Sequence, residues 1–583
     1  MAKLKKEDIK GFECKHAFYM PSNNGQDDLL LVKEVVHLKD DKHVTNIRLL
    51  TNFERDLYVT KPAFRNHKDK KEWEKIERLQ KFKTTQIKLQ ETVARLLNLP
   101  RDRNMRQYGR NQYLYGTDIS LPALIKGMYK RRYDMFTKNT VAVFDIETDV
   151  SVSENIKEQP ILMASISFKD KAVLAVRECF FKGIINPEEK INTAIQYYLS
   201  NMDGQDKKGN PIKRNLIEER NLKVIVHLVD TESDVIKACF KYAHEWQPDI
   251  MAVWNLDFDV PHVLRRMELE GVNPADVFCD PSVPKKFRQV LYREGARKQV
   301  TNNGTNKALL PAEQWHTVNT MSGFYFIDAM ALYKRIRMAK GNEDSYALDA
   351  VLDKHLGMRK LKFKEADHLI ENGSTGLAWH EFMQARYKAE YCVYNLFDCI
   401  SVELLDEKNQ DMAMMLSILC GISDYADFRS TPKRTCDDMH FFCLDKGHVI
   451  AASPDDMKDD NDEHVVGMNG WIVTLPSYMV IDNGIRILED FPDLPTQVRA
   501  HVADLDVAAA YPNGEIILNI SKETTYRELC RIKGVTEEVQ RKTGINITGG
   551  KTNAVEFCMD IHQLPSFREL LEIYKRRNPG SVI

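Results

Sequence analysis

Three short apolar, β-branched runs in this sequence each end abruptly in acids, and they constrain the fold more than any other feature. NTVAVFDIETDV begins at residue 139, DIMAVWNLDFD at residue 249, and FYFIDAMALYKRI at residue 324. Between the first two, SDVIKACFKYAHEWQP has the apolar spacing of a helix, and HEFMQARYKAEYCVYNLFDCISVELLDEKNQDMAMMLSIL is helical by the same spacing. Apolar strands alternating with helices predict an α/β domain from about residue 136 to residue 405.

At 583 residues the chain is too long for one core, so a multidomain α/β protein is expected. Hydrophobic residues make up 43% and charged residues 29%, an ordinary soluble composition. No apolar run approaches the ~18 residues that cross a bilayer, so no membrane partner is expected. The start, MAKLKKEDIKGFECKHAF, has lysines with no apolar core behind them and is not a secretion signal. The eleven cysteines form no CxxC pair and no Cys/His cluster, which argues for free thiols in a reducing compartment, the cytoplasm, and against structural zinc. Net charge is −2, so a nucleic acid would have to be held by local basic patches.

Elsewhere the signals are weaker. Residues 64–98 read as one or two charged helices with an apolar stripe through Trp73, Ile76, Leu79, Phe82 and Ile87. Residues 124–133 are basic with aromatics between, a phosphate contact or a solvated loop. Residues 455–464 are acidic and read as an exposed loop, after which GWIVTLP and HVADLDVAAAYPNGEIILNI read as strands and SFRELLEIYKRR as a cationic helix.

The acids carry the chemistry. On a strand, Asp145 and Glu147 of FDIET point to one face. Side-by-side carboxylates repel unless a cation lies between them, so the pair is a metal-site candidate, or else a solvated strand end. In WNLDFD, Asp259 can join the same cation, Asn255 can bond a sugar or phosphate, and Phe258 can pack or stack on a base; a capped turn is the plainer reading. Asp257 in the same segment is expected to face solvent or to support the site from behind. In YNLFD, Tyr394 and Asp398 lie four apart on one helix face, where the alternative is a core tyrosine on an amphipathic helix.

Taken in order, Asp-x-Glu, Asn-x-x-Phe-Asp and Tyr-x-x-x-Asp resemble the three exonuclease motifs of DEDD-type proofreading nucleases, tyrosine subclass. The resemblance implies an RNase H-like fold and two-metal 3′→5′ phosphodiester hydrolysis. It assigns Asp145, Glu147, Asp259 and Asp398 to two Mg²⁺ ions, for which Mn²⁺ should substitute, and Tyr394 to the attacking water. The segment DLDVAAAYPNGEI further resembles motif A of B-family DNA polymerases. That likeness makes Asp506, with Val507 beside it, a metal contact of the palm and puts Tyr511 under the incoming sugar, although Ala509, Ala510 and Asn513 depart from the usual residues. Residues 430–442 and 467–476 resemble the approach to the palm in tailed-phage replicative polymerases, and FYFIDAMALYKRIR and SYALDAVLDKHLG the middle of that family's exonuclease domain. KKFRQVLYREGARKQV, residues 285–300, falls where those enzymes carry a strand-separating hairpin, and Arg577 (or Arg576) where they bind triphosphate.

The expected organisation is an N-terminal domain over 1–135, the exonuclease over 136–405, a helical connection over 406–466, and part of the palm with the start of the fingers over 467–583. The fingers motif and the Asp-Thr-Asp of the palm do not occur, so polymerisation is expected to need a second polypeptide, as in a fragment or a split phage polymerase acting in the host cytoplasm. Expected partners are primer-template DNA, a single-stranded 3′ end, dNTP, that polypeptide and a sliding clamp. A stand-alone DEDD exonuclease or RNA-trimming enzyme would have no use for Asp506 or Tyr511; a silent binding subunit would not need all four acids.

Overall fold

The computed structural model describes residues 8–67, 70–71, 73–205, 210–300, 305–371 and 374–451, with a few positions beyond residue 484. The chain divides into two compact units. One comprises Met1–Thr60, Trp73–Tyr108 and Leu114–Ala451, and the other Lys61–Glu72, Gly109–Tyr113 and Ala452–Ile583. In the second, Ile485–Arg486 pairs antiparallel with Gln497–Val498. Asp506, Val507, Tyr511 and Arg577 lie outside the described residues, as do the acidic loop and the strands read after it.

The first unit is built on a mixed six-stranded sheet whose strands are β1 (Val141–Thr148), β2 (Ile161–Phe168), β3 (Lys171–Arg177), β4 (Lys223–Val229), β5 (Ile250–Val253) and β6 (Tyr325–Asp328), in the order β4-β3-β2-β1-β5-β6. β1, β5 and β6 run parallel, while β2 is antiparallel to both β1 and β3. Helices cover both faces, which is why VAVF and IMAV are apolar without alternation. Ala142, Phe144 and Ile146 of β1 pack with Val235, Phe240 and Val263 of α1 (Glu232–Trp246) and α2 (Leu256–Leu269). Val141 and Val143 point the other way, into a cluster with Cys399 and Val402. The strand read at FYFID is β6, and it leads directly into α3 (Ala329–Ile336). The long helical stretch is α4 (Leu377–Arg386) followed by α5 (Lys388–Asn409).

An antiparallel N-terminal sheet of Ile9–Pro21, Asp28–Leu38 and His43–Thr51 packs on this core, with the Phe18 and Tyr325 rings stacked 4.9 Å apart. The helices read over residues 64–98 are mostly absent. Among the described residues Trp73–Lys75 and Leu79–Thr85 are strands, Ile76–Arg78 is a single 3-10 turn, and an α-helix forms only over Leu89–Leu97. Leu79–Thr85 pairs along its whole length with Glu54–Thr60, and that long-range ladder overrides the helical spacing of the charged residues. The basic stretch at 124–133 is no loop: it lies on the helix Leu121–Tyr133, capped by Ser120, where Arg131 pairs with Asp445. No helix among the described residues is long and apolar enough to cross a membrane.

Gly127 sits where that helix meets Thr431–Asp445, and a Cβ there would overlap the buried Phe441 ring. Gly127→Ala should therefore lower the melting temperature. Overpacking costs about 1–3 kcal/mol and outweighs the roughly 1 kcal/mol helix preference for alanine. Adding Phe441→Leu should recover the loss.

Candidate metal centre

Alternation along β1 builds the site. Asp145 and Glu147 continue the face begun by Val141 and Val143, so both project towards α5. On α5, Tyr391, Tyr394, Asn395 and Asp398 follow the i, i+3, i+4, i+7 spacing of one helical face, turned to the strand. One carboxylate oxygen from each of Asp145, Glu147 and Asp398 lies within 4.8 Å of the others. Asp259 comes from a third element. It stands in the first turn of α2, buried, and accepts from the Ile146 N–H at 3.3 Å. The four acids thus come from one strand and two helices.

Three of them, Asp145, Asp259 and Asp398, line a cleft of about 530 Å³ together with Asn255, Phe258 and Lys360, among others. The cleft lies at the carboxyl ends of the parallel strands β1 and β5, the usual place for a ligand in open α/β sheets. Asn255 occupies the N-cap position of α2 without capping it, so its amide remains available to the cleft. Phe258 is half-buried, with its ring nearly parallel to His262 at 6.3 Å.

Three of the acids have side-chain partners that their motifs do not signal. Asn395 donates to Asp145 at 2.7 Å and accepts from Ser165 at 2.5 Å. Tyr391 donates to Glu147 at 2.6 Å. Its oxygen lies 2.8 Å from His380 Nδ1 and accepts from Gln384 at 3.2 Å. A carboxylate only accepts, so the tyrosine's single proton goes to Glu147, and His380 must supply its Nδ1–H. Lys360 reaches Asp398 at 2.5 Å and donates to the Tyr394 oxygen at 2.8 Å. The two phenol rings are stacked at 5.9 Å. Tyr391 and Asn395 were within reach of sequence reasoning, since both share the face of Tyr394 and Asp398. Lys360 lies in an irregular stretch after α-helical Leu348–Leu356, with no periodicity to signal it.

Burial, and then repulsion by Asp259, Asp398 and Glu147, raises the Asp145 carboxyl well above its ordinary range. Burial raises Asp259 likewise, and Glu147 from 4.5 to about 7, against the opposing Tyr391 bond. Burial raises Asp398 too, with Lys360 opposing. Burial disfavours the Lys360 ammonium, but the Asp398 carboxylate and the Tyr394 oxygen together outweigh it and hold the lysine charged. Oδ1 of Asp398 is buried with no hydrogen-bond partner among the described residues. An all-oxygen set with spare lone pairs and uncompensated repulsion fits hard divalent cations.

Two other acids have structural tasks. Asp328 at the end of β6 is buried and accepts from the N–H groups of Ala331 and Leu256, at 2.8 and 3.3 Å, capping α3 and fixing the start of α2. Asp257 is 29% exposed and accepts from the Tyr292 hydroxyl at 2.6 Å, tying α2 to the basic stretch after residue 285. That stretch forms two ribbons. Val290–Arg293 pairs with Thr317–Thr320, and Lys298–Val300 with Asn306–Ala308.

Residues 115–351 match the family model of the DNA polymerase family B exonuclease domain. The match takes in Asp145, Glu147, Asn255, Phe258 and Asp259 and ends before Lys360, Tyr394 and Asp398. No curated protein matches the chain. This region is thus similar to a polymerase exonuclease domain, whose relatives use divalent metals and bind DNA.

In metal-free buffer Asp145→Asn should raise stability by roughly 1–2 kcal/mol, because it removes a carboxyl whose ionisation is opposed by burial and by three acidic neighbours. Manganese should stabilise the wild type, by about 2.7 kcal/mol at a hundredfold excess over its dissociation constant, and the variant much less. Glu147 sets the pH sign. Between its unfolded value near 4.5 and its folded value of about 7, the native state holds a proton that the unfolded chain has lost. Metal-free stability should fall as pH rises across that window, and saturating manganese should flatten the slope. Thermal melts from pH 4 to pH 8 with and without the ion check both.

Proposed function

We propose that this chain is a divalent-metal 3′→5′ exonuclease that proofreads for a B-family DNA polymerase, with its chemistry at Asp145, Glu147, Asp259 and Asp398. The observation that carries this reading is the meeting of acids from three separate segments in one cleft at the ends of buried parallel strands. The family-model match over two of those segments supports it.

Two magnesium ions, or manganese in their place, would be held by the four carboxylates, where they supply an acidified water and offset charge on the departing 3′ oxygen. The chain's own side chains set the rest. Tyr391 and Asn395 each hold one oxygen of Glu147 and Asp145 and leave both carboxylates further lone pairs for a cation. Lys360 has no acceptor atom, so Tyr394 accepts from it and keeps its own proton. That hydroxyl proton orients the attacking water by donating to one of its lone pairs, leaving the other for phosphorus. Asn255 bonds the terminal sugar or phosphate, and Phe258 packs against the frayed base. A frayed, mispaired end is preferred because it has already lost the pairing that holds a matched end away from the cleft.

Polymerisation is a second reading for the same polypeptide, supported by motif A. Asp506 with Val507 would contact the palm metal, Tyr511 would exclude a 2′-hydroxyl, and Arg577 would meet the triphosphate. Completion by a second polypeptide of phage origin belongs to that reading.

With Mg²⁺ present, single-stranded and mismatched 3′ ends should be degraded by this chain alone. Asp145→Ala with Glu147→Ala should slow degradation by at least about a thousandfold, the several kcal/mol that metal binding contributes to the transition state. Tyr394→Phe should cost about a hundredfold. Degradation that survives the double substitution removes the site assignment. On the polymerase reading, nucleotide addition should appear when a polypeptide that carries the Asp-Thr-Asp motif is supplied.

A further inference from the structure

A second group of like charges lies beside the carboxylate cleft, this time cationic. Lys334 and Arg335 stand in the last turn of α3, Arg429 follows Phe428, and Arg434 is in the helix Thr431–Asp445. Arg335 donates to the Arg429 carbonyl at 2.9 Å, and Arg434 lies over the Phe428 ring at 5.2 Å. Among the described residues none of the four has a carboxylate within 4.0 Å. Burial, and then the charges of Arg434 and Arg429, lower the Arg335 pKa.

Lys334, Arg335 and Arg429 line a cavity of about 210 Å³ with Trp315, Gln314 and Asn342. The Trp315 indole N–H is buried and has no partner among the described residues. Glu313 is the one acid on the described wall, and its carboxylate already accepts from the Leu310 N–H at 2.9 Å. Lys334 spends one proton on Asn342 and keeps two. Three cations around a small hollow call for an anion with several acceptor oxygens. The volume falls below the ~300 Å³ at which small-molecule sites begin, so the anion is a phosphate group and not a whole nucleotide.

Position indicates where that phosphate comes from. The cavity and the cleft share Ala312 of the turn Pro311–Glu313. On α3, Met330 lines the cleft while Ala331 and Lys334 line the cavity. The Lys334 ammonium stands 5.0 Å from the ring centre of Tyr346, which lines the cleft. We propose that the cavity binds one backbone phosphate of the single strand whose 3′ end lies in the cleft, upstream of the scissile linkage. The proposal rests on the exonuclease reading. It answers a difficulty of that reading, since a cleft walled by acids repels the strand it must hold and the grip has to lie to one side.

Binding of an end-labelled oligonucleotide to the full chain, measured in EDTA so that nothing is cleaved, tests it. Arg335→Gln and Lys334→Gln should each raise Kd about five- to tenfold and flatten the plot of log Kd against log salt by about 0.7, one single-strand phosphate contact. Single methylphosphonate linkages walked along the strand should weaken wild-type binding at one upstream linkage and leave Arg335→Gln unaffected there. This arm leaves the protein intact, so misfolding cannot imitate it. Unchanged Kd and salt slope in both variants, or a methylphosphonate effect of equal size in wild type and variant, overturns the proposal. So does a cavity that takes only free phosphate, seen as thermal stabilisation of the wild type by inorganic phosphate with no linkage-specific loss. Linkage-specific binding without degradation in Mg²⁺ would instead remove the exonuclease reading and leave the phosphate site standing.

Discussion

Repulsion between carboxylates that the fold forces together governs the rest of this structure. If ionised together, two full charges at the 4.8 Å that bounds Asp145, Glu147 and Asp398 would repel by about 3 kcal/mol even at an effective dielectric near 20, and this repulsion adds to burial in holding the Asp145 proton on. The sheet absorbs that cost because its core does not depend on these positions. Ala142, Phe144 and Ile146 bury one face of β1, Val141 and Val143 the other, and only the last turn of the pleat is left to the acids. The burial that makes the strand stable is also what keeps its acidic end dry enough for the charges to matter.

The partners divide this burden unequally. Asp145 and Glu147 receive neutral donors, an amide and a phenol, which orient a carboxylate without neutralising it. Asp398 receives a full ammonium from Lys360. Two of the acids are therefore preset for a cation, while the third is balanced by a side chain that can be exchanged for one. His380 completes the neutral branch. Its pKa is pushed down to about 4 by burial and then by the Lys360 charge, so the ring adds no competing cation beside Glu147.

Much of this was legible in the sequence because it follows short periods. Period two put Asp145 and Glu147 on one face of a strand, and spacing by four put Tyr394 and Asp398 on one face of a helix. Asp259 was legible as a residue but not in its placement. The strand before it stops at Val253, and the acid reaches the site from the first turn of α2. Lys360 left no trace, because an irregular segment has no period to read and its contact is made only in three dimensions. The strand Leu79–Thr85 was misread for the related reason that charged residues at helical spacing carry no information about a ladder formed with residues 54–60.

The acids at the carboxyl ends of the strands and the bases one helical turn along α3 are two halves of a single electrostatic problem. On the exonuclease reading proposed above, the site needs oxygen ligands at the point of reaction and positive charge to one side of it. Mixed together, the two sets would pair with each other, as Lys360 and Asp398 do. The fold keeps most of them apart. Met330 and Ala331, adjacent on α3, line different hollows, and Ala312 forms the wall common to both. A net charge of −2 on the whole chain hides this sorting, because acids and bases that nearly cancel in the sum line separate hollows.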